Sequence, residues 1–95
     1  MADATRTVHL RITGRVQGVY FRAWAAEHAR MRELTGWVRN RRDGAVEALI
    51  HGASGDVADM IELFWQGPPD ARVDNVEIIQ EGGAAPGDFQ VLPSA

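Results

Sequence analysis

The chain of 95 residues contains no cysteine. This excludes disulfides, thiolate nucleophiles and thiolate metal sites, and leaves methionine thioether as its only sulfur. Lysine is also absent: all ten basic residues are arginines, so every cation is a planar, permanently charged fork. No run is long and apolar enough to span a bilayer, and Met1 to Arg6 has no hydrophobic leader core, so the expectation is a cytoplasmic protein without membrane partners. Aromatic residues make up 7% of the chain and the formal net charge is −3, which argues against a general affinity for nucleic acid.

What remains is enough for one domain over residues 1–95, with residues 1–5 expected to be flexible; 45% of the chain is hydrophobic, sufficient for a core without staples. Seven of the arginines (Arg15, Arg22, Arg30, Arg32, Arg39, Arg41 and Arg42) fall between the first glycine turn and Asp43-Gly44. An acidic body with a local arginine cluster suits a small anionic ligand, although Arg30 and Arg32 on the helix also fit a solvated face.

Val8, Leu10 and Ile12 alternate with Thr7, His9, Arg11 and Thr13, the pattern of a half-buried strand. Helical spacing of Phe21, Trp24, Ala25, His28 and Ala29 predicts a helix from Phe21 to about Leu34, stopped by Gly36. Trp37 to Arg41 and Ala45 to His51 read as a hairpin through Asp43-Gly44, with Val46, Ala48 and Ile50 facing the core. Ser54 is placed to cap a second helix carrying Val57, Met60, Ile61 and Phe64, ended by Gly67-Pro68-Pro69. Val73, Val76 and Ile78 predict a fourth strand, and Phe89 to Leu92 is a last short apolar run. The order β-α-β-β-α-β is that of a ferredoxin-like α+β sandwich, an antiparallel sheet with both helices on one face. Strand parity then puts Asn40 on the side of core-facing Val38, beneath the helix whose first turn carries Arg22.

The run Gly14-Arg15-Val16-Gln17-Gly18-Val19-Tyr20-Phe21-Arg22 joins the first strand to the first helix. Backbone N–H groups at a helix N-terminus lack intrahelical partners and lie at the positive end of the dipole, so an oxyanion can accept several of them, with Arg22 adding a bidentate cation. A bare Gly-x-x-x-Gly bend also fits a turn that binds nothing. The second segment, Gly36-Trp37-Val38-Arg39-Asn40 followed by Asp43-Gly44, distinguishes the two: together the motifs resemble the acylphosphatase family, whose pattern runs Gly-x-Val-Gln-Gly-Val-x-Phe-Arg and then Gly-Trp-Val-x-Asn-x-x-Asp-Gly. Gly67-Pro68, Ala71, Val73, Phe89 and Val91 extend the resemblance over nearly the whole chain.

The resemblance implies a hydrolase that splits the carboxyl-phosphate bond of small acyl phosphates with water as the nucleophile, without metal, cofactor or covalent intermediate. It implies that Arg15, Val16, Gln17, Gly18, Val19 and Tyr20 hold the phosphate through their backbone together with the Arg22 side chain, and that Asn40 orients the water. Phosphoryl transfer through a loose transition state asks for positioning and for donors to the equatorial oxygens, which such a nest supplies. A monomer is the expectation, with the small substrate as the partner. The chain departs from the pattern at Tyr20, often glycine, whose bulk would line the mouth of the cradle, and at Arg32-Glu33, where leucine and glycine are common and a weakened helix cap is expected.

Competing readings are a non-catalytic anion-binding domain, for which Asn40 would be superfluous, and a single-stranded RNA binder, which lacks an aromatic platform on His9, Arg11, Glu47, Leu49 and His51. His9 and His51 share the open face but make a poor metal site without further ligands, His28 is expected to pack or cap, and Trp24, Trp37 and Trp65 are expected in or beside the core.

Overall fold

Alternation in the first segment produces the longest strand of the molecule. β1 (Thr5–Arg15) buries Val8, Leu10 and Ile12 completely and turns His9 and Arg11 to the other face. It is followed by α1 (Phe21–Met31), β2 (Thr35–Asn40), β3 (Val46–Ala53), α2 (Ser54–Gln66), β4 (Arg72–Glu81) and β5 (Phe89–Val91). The computed structural model describes residues 4–95, so Met1 to Asp3 of the expected flexible stretch lie outside the described residues, and Thr5 already belongs to β1.

The sheet order is β4-β1-β3-β2-β5. β1 runs antiparallel to both β3 and β4, and β2 antiparallel to β3, which is the ferredoxin-like arrangement with both helices against one face. Val46, Ala48 and Ile50 of β3, Val38 of β2, Ala25, Ala26 and Ala29 of α1 and Val57, Met60 and Phe64 of α2 form one buried cluster with the β1 residues. Burying the larger of these side chains contributes about 1.5–3 kcal/mol each, the main favourable term for the fold.

The structure differs from the sequence expectations in several places, each for a physical reason. β5 pairs with β2 in parallel, with Gly36 opposite Phe89 and Val38 opposite Val91, so the sheet is mixed at this edge. The first helix stops at Met31, before Gly36. Leu34 N–H donates to Ala29 C=O at 2.9 Å and Glu33 N–H to Arg30 C=O at 3.0 Å, with Glu33 in the left-handed region at φ 56°. This is a complete Schellman cap, so the weakened cap expected at Arg32-Glu33 forms with ordinary geometry, held by a residue for which that conformation costs about 1–2 kcal/mol. Gly36 serves the sheet instead: at φ 137°, a side-chain carbon there would lie 1.8 Å from the Leu49 carbonyl oxygen.

Ser54 is the first residue of α2, and its N–H is satisfied by the Ala4 carbonyl at 2.9 Å; no side chain caps this helix. Trp37 lies on the open face, where the Arg39 guanidinium sits 4.9 Å from its ring centre and His9 packs edge-on at 5.5 Å. Trp65 is exposed, whereas Trp24 packs against Phe21, Phe64 and His28 as expected. Ile78 is also exposed although it pairs with buried Leu10: β4 is an edge strand, so its core-side residues lack a neighbouring strand on one flank.

Candidate active site

Between β1 and α1 the chain crosses residues 16–20 without a turn hydrogen bond of its own. Val16 and Val19 are buried and plug this loop into the core, so only their backbone is on offer to a ligand. Gly18 and Tyr20 have φ of 72° and 69°, with Val19 between them outside the positive region. Such alternation turns successive amides toward one concave side, the geometry of an anion nest. Among the described residues, the N–H groups from Gln17 to Ala23 have no protein acceptor, and the first turn of α1 has neither an acidic residue nor a side-chain cap. The positive end of the α1 dipole is therefore uncompensated.

A cavity of about 300 Å³ opens at this end of the sheet, lined by Val16, Gln17, Gly18, Tyr20, Phe21, Arg22, Ala23, Asn40 and Val91. The topology explains the convergence: the end of β2 delivers Asn40 on the helix side of the sheet, and the start of α1 delivers Arg22 above it. Arg22 has no carboxylate partner among the described residues; its guanidinium makes a long contact, 3.5 Å, with the Leu92 carbonyl. The Asn40 side-chain oxygen is buried without a donor, the single side-chain atom of that kind among the described residues. An unsatisfied buried acceptor costs about 1–3 kcal/mol, and one water molecule donating to it removes that cost.

Six of the eight residues singled out in the sequence thus line one cavity. Arg15 does not: it is the last residue of β1, paired with Arg72, and the lining of the cavity begins at Val16. Val19 shapes the loop from within the core and is likewise not a lining residue. Tyr20 is 67% exposed at the mouth, with its hydroxyl 3.4 Å from Glu27 Oε1. Sequence reasoning missed Val91 and the Leu92 carbonyl, because a three-residue strand carries no signal for the neighbour it will choose. It also missed the Gln17 side chain, whose Nε2 donates to the carbonyls of Arg41 at 2.7 Å and Ala45 at 2.9 Å.

The open face of the sheet is electrostatically different. Glu47, with a side chain only 12% exposed, accepts from Arg39 at 2.8 Å and Arg41 at 3.4 Å and meets His9 Nε2 at 2.5 Å. Burial pushes its carboxyl up, but the hydrogen bonds from Arg39 and His9 outweigh this and hold it below the ordinary glutamate value. Asp43 is held low by the Ala45 N–H and by Arg11. His51 Nδ1 lies 2.6 Å from the Thr7 hydroxyl. No three histidine, aspartate or glutamate residues converge as metal ligands among the described residues.

Comparison with known proteins gives the family. The family model described as Acylphosphatase matches residues 8–91. An acylphosphatase of Rhizobium meliloti is 48% identical over 92 residues, covering 96% of this chain and 97% of that protein. Among solved structures, an acylphosphatase from Coxiella burnetii superposes with a TM-score of 0.82 at 37% identity, covering 93% of each chain. An acylphosphatase from Bacillus subtilis gives 0.84 at 32% identity, covering 94% of this chain and 99% of that one. The chain is therefore a member of the acylphosphatase family, an enzyme that hydrolyses acyl phosphates to a carboxylate and inorganic phosphate.

Proposed function

We propose that the phosphoryl group of the substrate sits in the nest formed by residues 16–20 and the first amides of α1, clasped by Arg22, and that Asn40 holds the attacking water. One observation carries this reading: unpartnered amides, an arginine without a carboxylate and an unsatisfied buried carboxamide line a single cavity. The water oxygen attacks phosphorus, the phosphorus–oxygen bond to the acyl group breaks, and the electron pair leaves on the carboxylate. A carboxylate needs no acid to leave, since its conjugate acid has a pKa of about 4. The nest and the guanidinium donate to the equatorial oxygens, where charge is redistributed.

Asn40 is an amide and cannot accept the proton as a base at neutral pH; its oxygen accepts a hydrogen bond from the water and fixes its line of approach. The water proton passes to a phosphate oxygen of the substrate, which becomes the inorganic phosphate product. Tyr20, exposed at the mouth, borders the path along which the acyl group projects.

The test is turnover of benzoyl phosphate together with competitive inhibition by inorganic phosphate. Asn40→Ala is expected to abolish most turnover while phosphate still inhibits, and Arg22→Lys to lose both. An Asn40→Ala protein with parental turnover would refute the water assignment. Phosphate binding without hydrolysis by the parent protein would favour an anion-binding role for the cavity.

A further inference from the structure

Gln17 belongs to the cradle by its backbone, but its side chain leaves the loop and reaches the hairpin between β2 and β3. Both hydrogens of its carboxamide nitrogen are used there, on the carbonyls of Arg41 and Ala45. Those carbonyls close the hairpin: Arg41 N–H donates to Ala45 C=O at 2.8 Å and Gly44 N–H to Arg41 C=O at 3.1 Å. Each therefore accepts twice, filling both lone-pair positions. Arg41 directly follows Asn40 in the chain. Among the described residues, the two Gln17 bonds are the only hydrogen bonds between loop 16–20 and the hairpin.

The hairpin does not need Gln17 to form. Its turn is closed by its own backbone bonds, by Asp43 accepting from Ala45 N–H at 3.0 Å, and by Arg11 on Asp43 at 2.6 Å. The loop is likewise anchored independently, through buried Val16 and Val19. What the Gln17 carboxamide adds is a fixed separation between two parts that are each already folded.

The geometry points to Gln17 as a positioning residue that sets the distance between the phosphate cradle and Asn40, an inference resting on the assignment of Asn40 to the attacking water. In an in-line displacement the water and the phosphorus must be held to a fraction of an ångström, and an error of about 1 Å costs about 100-fold in rate. Gln17 acts through Asn40 and the loop without touching the reacting atoms through its amide.

The test is a double-mutant cycle on benzoyl phosphate. Gln17→Met keeps the side-chain length and removes both donors; it is expected to lower kcat by about 10- to 100-fold while the inhibition constant of inorganic phosphate changes less than about 3-fold. In an Asn40→Ala background the same substitution is expected to lower kcat by less than about 2-fold, because the partner it positions has been removed. Parental kcat in Gln17→Met beside a strong loss in Asn40→Ala overturns the inference alone, as does an equal loss in both backgrounds or a loss of phosphate binding in step with kcat. Parental turnover in Asn40→Ala overturns the water assignment and this inference with it. Should Gln17→Met not fold by circular dichroism, Gln17→Leu, an uncharged side chain of similar bulk without donors, is measured in the same cycle; if neither folds, the tether is structural and the inference is wrong.

Discussion

The two faces of the sheet treat their polar groups in opposite ways. On the open face, Glu47 is surrounded by Arg39, Arg41 and His9, and Asp43 by Arg11 and the Ala45 amide. At the cavity end, by contrast, Arg22 has no counter-ion, Asn40 has an oxygen without a donor, and a row of amides has no acceptor among the described residues. Groups of the same chemistry are self-satisfied in one place and without protein partners in the other. On the reading proposed above, the second arrangement suits hydrolysis of an acyl phosphate, because donors held in place before charge develops need no reorganisation during the reaction. The arginine count alone does not separate the two: of the seven arginines between the glycine turn and Asp43, Arg39 and Arg41 are committed to Glu47 and Arg30 to the Phe89 carbonyl.

Substitutions can break this contrast from either side. The largest expected effect is at Arg22: replacement by lysine keeps the charge but loses the fork, and is expected to lower kcat/KM by about 10²–10³-fold or more while thermal unfolding stays within a few degrees. Asn40→Ala comes next, with about a 10²-fold loss of kcat. It also sharpens the comparison, because removing an unsatisfied acceptor should leave unfolding by urea unchanged or shifted to higher concentration.

Glu47→Gln is the converse experiment. It is expected to destabilise the fold by about 1–3 kcal/mol, since three partners lose a nearly buried carboxylate, while turnover stays within about three-fold. The same variant tests the pH dependence. The folded-state value of Glu47 lies below its unfolded value, so its contribution is fully present above the ordinary carboxylate range and is lost as pH falls below about 4. Urea midpoints of the parent should therefore decline more steeply below that pH than those of Glu47→Gln. The smallest effect is at Glu33: glycine there relieves the left-handed strain and is expected to stabilise by roughly 0.5–1 kcal/mol, a rise of a few degrees in Tm, with unchanged turnover.

Much of this was legible in the sequence wherever local periodicity decides structure. Val8-Leu10-Ile12 and Val46-Ala48-Ile50 face the core as their alternation requires, and parity placed Asn40 on the side of the sheet where it lines the same cavity as Arg22. What escaped was decided by partners distant in sequence. Ser54 looks like a cap, yet the Ala4 carbonyl takes its amide and the serine begins the helix instead. Trp37 alternates with buried Val38 and so belongs to the open face, where Arg39 and His9 cover it; hydrophobicity alone suggested a place in or beside the core. Glu33 showed that a cap can keep its geometry when its preferred residue is missing, because Leu34, the buried residue that follows, fixes where the chain must go. The two carbonyls taken by Gln17 carry no sequence signal, since they are backbone atoms.

The parallel strand β5 brings a final consequence. Leu92 N–H donates to Val38 C=O and Ala95 N–H to Asn40 C=O, both at 2.9 Å, while the Leu92 carbonyl meets Arg22. The pocket is thus assembled from chain segments 70 positions apart, and closing so wide a separation is slow compared with forming either helix. During refolding, recovery of hydrolysis should lag behind recovery of the far-ultraviolet helix signal, making enzymatic turnover a clock for the last stage of assembly.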